Sequence, residues 1–380
     1  MTLKEAIEMN TNSRRKTSIE LYRIYAAIGV LIVHMMEMNI IPGDKNIPNK
    51  IAYIVDFFFI ISGFLMLRHL DNSKKKESSI EYVLHKAKSI FAPVCITNAV
   101  AFLYFCINNN VKSVKSVLDQ LWHFRWEFIM MQCAGMIKDP KFNKDYLNGP
   151  AWYISALLIA TFFTYGLAIH CRKLYTNIIA PFLSLTIYAF ISQTYGTLNI
   201  GNGFVGPIQE SVLRGVAGIC VGSMCYEIYN KLNSDDRPVT LTWKLLDLFG
   251  WLSIPLWFAT LAFTEDVNSI FMLILLGCAL VFGFLDKTPV SHFLNNFFPD
   301  IIGWLGEYTL YIYLCHFTVG LAVIKFMADC SNMLKALVTI ITSIIYSLIV
   351  YYIDKKRKTV MPVFIVCGVC FVMAFIYGII

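Results

Sequence analysis

The chain has 380 residues, 57% of them hydrophobic and 15% charged, with a mean hydropathy of +0.60. That balance excludes a soluble globular enzyme and predicts an all-α polytopic transmembrane helix bundle. The net charge of +7 is spread over connections, which points to membrane topology and lipid headgroups and excludes nucleic acid as a partner.

Eleven apolar stretches cover residues 20–38, 51–70, 88–107, 150–170, 177–193, 210–229, 246–264, 268–285, 302–326, 333–353 and 360–380. Each is long enough to cross a hydrocarbon core of about 30 Å. Residues 1–19 are expected to form a cytoplasmic tail, 20–353 the main transmembrane unit, and 354–380 a basic loop with an additional C-terminal helix. The Lys- and Arg-rich connections follow spans two, four, six and ten, so alternation places them on the side of the tail. The positive-inside rule makes that side the cytoplasm, N-in and C-out.

One long connection, 108–149, falls outside by this count yet carries Lys112, Lys115, Arg125, Lys138, Lys141 and Lys144. Within it, residues 111–131 space Val114, Val117, Leu118, Leu121 and Phe128 as on a helix lying on the membrane surface, with Trp122 and Trp126 at the interface. Counting this stretch as a twelfth span would reverse every later basic loop. Eleven cysteines fall mostly inside apolar segments. Cys367 and Cys370 have no His or Asp pair nearby, so they are expected to be buried apolar side chains, and no metal is predicted.

The first span holds a cation and an imidazole, Arg23 and His34, in an otherwise lipid-soluble run. Eleven residues at 100° each return to within about 20° of one direction, and at 1.5 Å per residue they span roughly 16 Å. Both groups therefore lie on one helix face, with small residues (Ala26, Ala27, Val30) between them. Ionisable groups at membrane depth are costly, which makes the stripe a functional candidate. Asp56, early in span two, lies near the depth of His34, and Glu37 follows His34 on its own helix. Either can orient the imidazole and raise its basicity. At the other end, Arg68 and His69 close span two while Lys86 and Lys88 open span three. With Arg23 they form a basic cluster suited to phosphates. The rival reading of Lys86 and Lys88 is headgroup contact.

Further candidates lie deeper in the chain. Trp152 and Tyr153 open span four as an acceptor platform or as an interfacial aromatic pair. Arg214 in span six is placed to meet an acceptor phosphate. His316, midway along span nine beside Tyr313, either shapes an acceptor site or is a satisfied core histidine.

Arg-x10-His in the first span, followed by Val55-Asp56-Phe57-Phe58-Phe59-Ile60-Ile61-Ser62-Gly63-Phe64-Leu65, resembles the membrane acyltransferase-3 family. Pro150-Ala151-Trp152-Tyr153-Ile154-Ser155 and the segment from Tyr308 to Phe317 extend the resemblance over nearly the whole chain. It implies transfer of an acyl group, usually acetyl from acetyl-CoA, to a carbohydrate at or outside the membrane. It also implies Arg23 in donor handling, His34 in catalysis and a basic donor-binding element at the start of span three. There the chain departs from the family, with Lys86 and Lys88 before Pro93 in place of paired arginines. The eleventh span exceeds the common ten.

The reading is thus a membrane O-acetyltransferase of a bacterial cytoplasmic membrane, with acetyl-CoA as co-substrate. Its partners are the acyl-CoA donor, a glycan or glycolipid acceptor, membrane lipids and a second copy of the chain. The alternative is a transporter or flippase for an anionic or lipid-linked glycan, with Arg23, Asp56 and Arg214 along its path.

Overall fold

A computed structural model describes residues 16–43, 47–73, 77–135, 146–200, 203–234, 238–263, 268–357 and 359–379. Apolar runs in a medium without water must satisfy their backbone internally, and here they do so as helices. In chain order these are α1 (Thr17–Glu37), α2 (Tyr53–Asn72), α3 (Ser79–Asn108), α4 (Trp152–His170), α5 (Arg172–Tyr195) and α6 (Glu210–Asn233). They continue as α7 (Leu241–Ala262), α8 (Ser269–Leu285), α9 (Pro299–Phe326), α10 (Asn332–Lys356) and α11 (Met361–Ile379). Ten of them are long and apolar enough to cross a membrane alone. The eleventh, α8, does so together with Pro289–Asn295, from which a 73° bend separates it. The strands among the described residues are one two-residue antiparallel pair, Phe204–Val205 with Ile208–Gln209.

The expected spans are all present, and the ends that differ do so for a local reason. Helix α3 starts nine residues before the predicted 88. Ser78 accepts from the Glu81 backbone N–H (3.3 Å), and the Glu81 carboxylate accepts from the Ser78 N–H (2.7 Å). This reciprocal cap carries the helix through a polar turn that hydropathy alone does not count. The predicted surface helix 111–131 is instead two short pieces, Val114–His123 and Arg125–Phe128. The ten residues of the first piece rise about 15 Å, half a hydrocarbon core, so no twelfth span forms. Residues 136–145, with Lys138, Lys141 and Lys144, lie outside the described residues.

Helices α1 and α9 run side by side in the same direction. Ser18 bonds to Asn295 just before α9 begins (2.8 Å), and His34 meets His316 towards its far end. The end of the bundle at which α1 begins is called proximal, and the other distal. The tightest contact joins α2 to α6. A side chain at Gly63 would place its Cβ 2.2 Å from the Ile219 carbonyl oxygen, and one at Gly222 would stand 2.0 Å from that of Ile60. The two backbones touch only because both positions lack a Cβ. That contact fixes α6, and with it Arg214, against the start of α2.

Candidate functional site

The site starts from His34, one turn from the distal end of α1. Its Nδ1 lies 2.7 Å from Nε2 of His316 on α9, with the rings nearly parallel (11°) and their centroids 5.0 Å apart. The other nitrogen of His316, Nδ1, lies 3.0 Å from the Ile312 carbonyl oxygen. A carbonyl only accepts, so His316 carries its hydrogen on Nδ1 and presents a bare Nε2. His34 must then donate from Nδ1. This leaves Nε2 of the neutral His34 imidazole unprotonated, the state a general base requires. The Glu37 carboxylate stands 3.9 Å from that Nε2, too far to bond it directly but able to share an approaching hydroxyl.

His34 opens into a small distal chamber of about 80 Å³, whose walls include Val30, Glu37, Trp152, Arg214 and Tyr313. Trp152 therefore faces this chamber, and its ring lies over the Arg214 guanidinium at 5.6 Å.

Asp56 has a different partner from the one expected. Its carboxylate is fully buried and holds Arg214 at 2.6 Å, and it accepts from Tyr188 at 3.1 Å. The same guanidinium donates to the carbonyls of Ala52 (3.3 Å) and Ile200 (2.5 Å). A permanent cation at the same depth, delivered by the α2–α6 glycine contact, captures the carboxylate. The imidazole face of α1 meets α9 instead. Asp56 and Arg214 form a clamp behind the chamber, and His316 takes the orienting place that the sequence assigned to Asp56 or Glu37.

Arg23 opens into a second, larger chamber at the proximal end, about 630 Å³. Its guanidinium lies 3.4 Å from the carboxylate of Glu20. Lys86 lines this chamber, as do Phe58 and Tyr153. Lys88 does not: it is exposed on another face of α3. Arg68 does not either, its guanidinium resting 4.9 Å above the Phe284 ring. The basic cluster expected at this mouth thus keeps Arg23, His69 and Lys86 and loses Arg68 and Lys88. Reading the sequence alone missed His85, Ser89 and the ion pair of Glu307 with Lys355, all on the chamber wall. A signal existed for part of this set. Tyr82, His85, Lys86, Ser89 and Ile90 form one helical stripe, but it lies mostly before the apolar window that defined span three.

Tyr313 belongs to both chambers. Its hydroxyl donates to the Pro150 carbonyl oxygen at 2.5 Å. The turn at Gly149–Ala151 that presents this carbonyl is itself held. The Asn148 side chain donates to the Leu314 carbonyl (2.9 Å), and the Glu127 carboxylate accepts from the backbone N–H groups of Leu147 (3.0 Å) and Asn148 (3.5 Å). Glu127 lies in the short helix Arg125–Phe128, and burial pushes its carboxyl up to about 8.

The geometry amounts to two chambers at opposite ends of a helix bundle, one basic and large, the other small and served by an oriented imidazole. A family model described as an acyltransferase domain, of the acyltransferase-3 type, matches residues 16–379. The chain belongs to this acyltransferase family. The match covers nearly the whole chain of this membrane acyltransferase, both chambers included. No curated protein and no solved structure matches it significantly.

Proposed function

We propose that this acyltransferase moves an acetyl group from acetyl-CoA to a hydroxyl of a cell-surface or exported glycan or glycolipid. The donor enters the proximal chamber from the cytoplasm, and the acceptor reaches His34 from the distal side. The observation that carries this reading is the relay from the Ile312 carbonyl through His316 to His34, which leaves a bare Nε2 facing the distal chamber.

The chemistry follows from that atom. A sugar hydroxyl is a weak nucleophile. As its oxygen attacks the thioester carbonyl carbon, its proton passes to His34 Nε2. Collapse of the tetrahedral adduct breaks the C–S bond, and the departing thiolate takes the proton back from His34, giving the ester and free CoA. His316, which accepts from His34 Nδ1, stabilises the transient imidazolium, and Glu37 adds a carboxylate close to it.

The donor side has matching chemistry. A volume of about 630 Å³ is in the range of sites that bind small molecules and cofactors, about 300–1,000 Å³. Arg23 and Lys86 supply cations for phosphates. The Lys- and Arg-rich connections that follow spans two, four, six and ten alternate to the side where α1 begins, while 108–149 departs from the pattern; on the positive-inside rule the enzyme would sit N-in and C-out in a bacterial plasma membrane.

The test is CoA release from acetyl-CoA by the purified chain supplied with envelope glycan. Release that depends on glycan and disappears in His34→Ala supports the reading. Equal release by wild type and His34→Ala would end it.

A further inference from the structure

We propose that Tyr313 is the partition that keeps the two chambers from joining into one aqueous path through the membrane. The inference rests on the two-chamber site described above but not on which group is transferred.

Among the described residues, Tyr313 is the one side chain that lines both chambers. The proximal chamber opens between His69, His85 and Lys355, at the ends of α2, α3 and α10 that lie on the proximal side. The distal one opens past Glu37 and Asn199 on the other side. Cavities at opposite ends of the bundle thus share one wall residue, the Tyr313 ring.

The ring is wedged and tethered. Its centroid lies 6.1 Å from that of Tyr153, 6.2 Å from His316 and 6.5 Å from Phe58. Its hydroxyl holds the Pro150 carbonyl. The turn bearing that carbonyl packs closely on α9, since a Cβ added at Gly149 would come within 2.9 Å of the Phe317 ring. The partition is therefore closed at rest by the wedged ring, with the hydroxyl bond to Pro150 only fixing its orientation, and it opens when the ring rotates out of the wedge. A protein that passes a group between opposite faces needs such a closure. Without it, Arg23, Lys86 and Arg214 would line a continuous anion path.

The test is chloride entry into proteoliposomes of the full chain carrying an enclosed chloride-quenched dye. Wild type and Tyr313→Phe, which keeps the ring, should leak within about twofold of each other. Tyr313→Ala should leak at least about tenfold faster. Should the alanine variant fail to purify as a helical chain, Tyr313→Val removes most of the ring and is expected to leak likewise. Leak by the small-residue variant no faster than wild type overturns the partition. CoA release measured on the same preparations is a separate result. Wild type that releases no more CoA than His34→Ala refutes the transfer reading, while the leak alone decides the role of Tyr313.

Discussion

Replacing His316 by Leu removes the acceptor for His34 Nδ1–H and changes little else, since the side chains are of similar size. The lost bond is 2.7 Å long and nearly buried. Leaving that donor unpaired costs about 1–3 kcal/mol. The neutral imidazole also becomes free to carry its hydrogen on Nε2, where it cannot act as a base. At about 1.4 kcal/mol per factor of ten, kcat should fall roughly 10- to 100-fold. KM for acetyl-CoA should hold within about twofold, because the proximal chamber does not include His316. His316→Gln offers a carbonyl oxygen to the same Nδ1 and should recover part of the loss. The assay is initial-rate CoA release by purified protein with envelope glycan, fitted for kcat and KM separately. A leucine variant within about twofold of wild-type kcat, or a glutamine variant as poor as leucine, would refute the tautomer argument.

Four other outcomes are expected. Lys86→Ala should raise KM for acetyl-CoA by about tenfold, the worth of one charge-assisted contact, while Lys88→Ala leaves it unchanged; equal effects would contradict the assignment of the chamber wall. Arg214→Leu strands the Asp56 carboxylate and should destabilise the protein by about 3–5 kcal/mol, lowering its melting temperature in detergent. Adding Asp56→Asn should restore much of that loss. Glu127 favours its protonated form in the fold, with a pKa of about 8 against 4.5 for the free carboxyl. The folded state therefore binds more protons between those values, and stability should decline as pH rises from about 5 through 8. Thermal melts should show this decline in wild type and a flatter profile in Glu127→Gln. Tyr313→Ala should narrow the preference for acetyl-CoA over butyryl-CoA, read as the ratio of CoA release rates, whereas Tyr313→Phe preserves it.

How much of this was legible in the sequence varies by residue. The eleven spans follow from apolar length, and the shared face of Arg23 and His34 follows from helical period, because both depend on positions close in the chain. The partner of His34 does not: His316 stands 282 residues away, and its approach depends on α9 packing beside α1. A short loop made α2 the natural neighbour and Asp56 the natural partner. What redirected Asp56 was the close approach of α2 and α6, where Gly63 faces Ile219 and Gly222 faces Ile60, which carries Arg214 into range. The difference between Lys86 and Lys88 is one of helical phase. It becomes readable only when the Ser78–Glu81 cap fixes where α3 begins. Lys355 carried a topological signal in the sequence, and its second role at the chamber wall appears only with Glu307 opposite it.

The central claim is that His34, held by His316, transfers acetyl to a hydroxyl presented on the distal side. The most direct measurement is a mass comparison of envelope glycans from cells carrying wild type or His34→Ala at equal membrane abundance. Glycans bearing the mass of added acetyl groups should appear with wild type and be absent with His34→Ala. The same acetyl content in both would contradict the account.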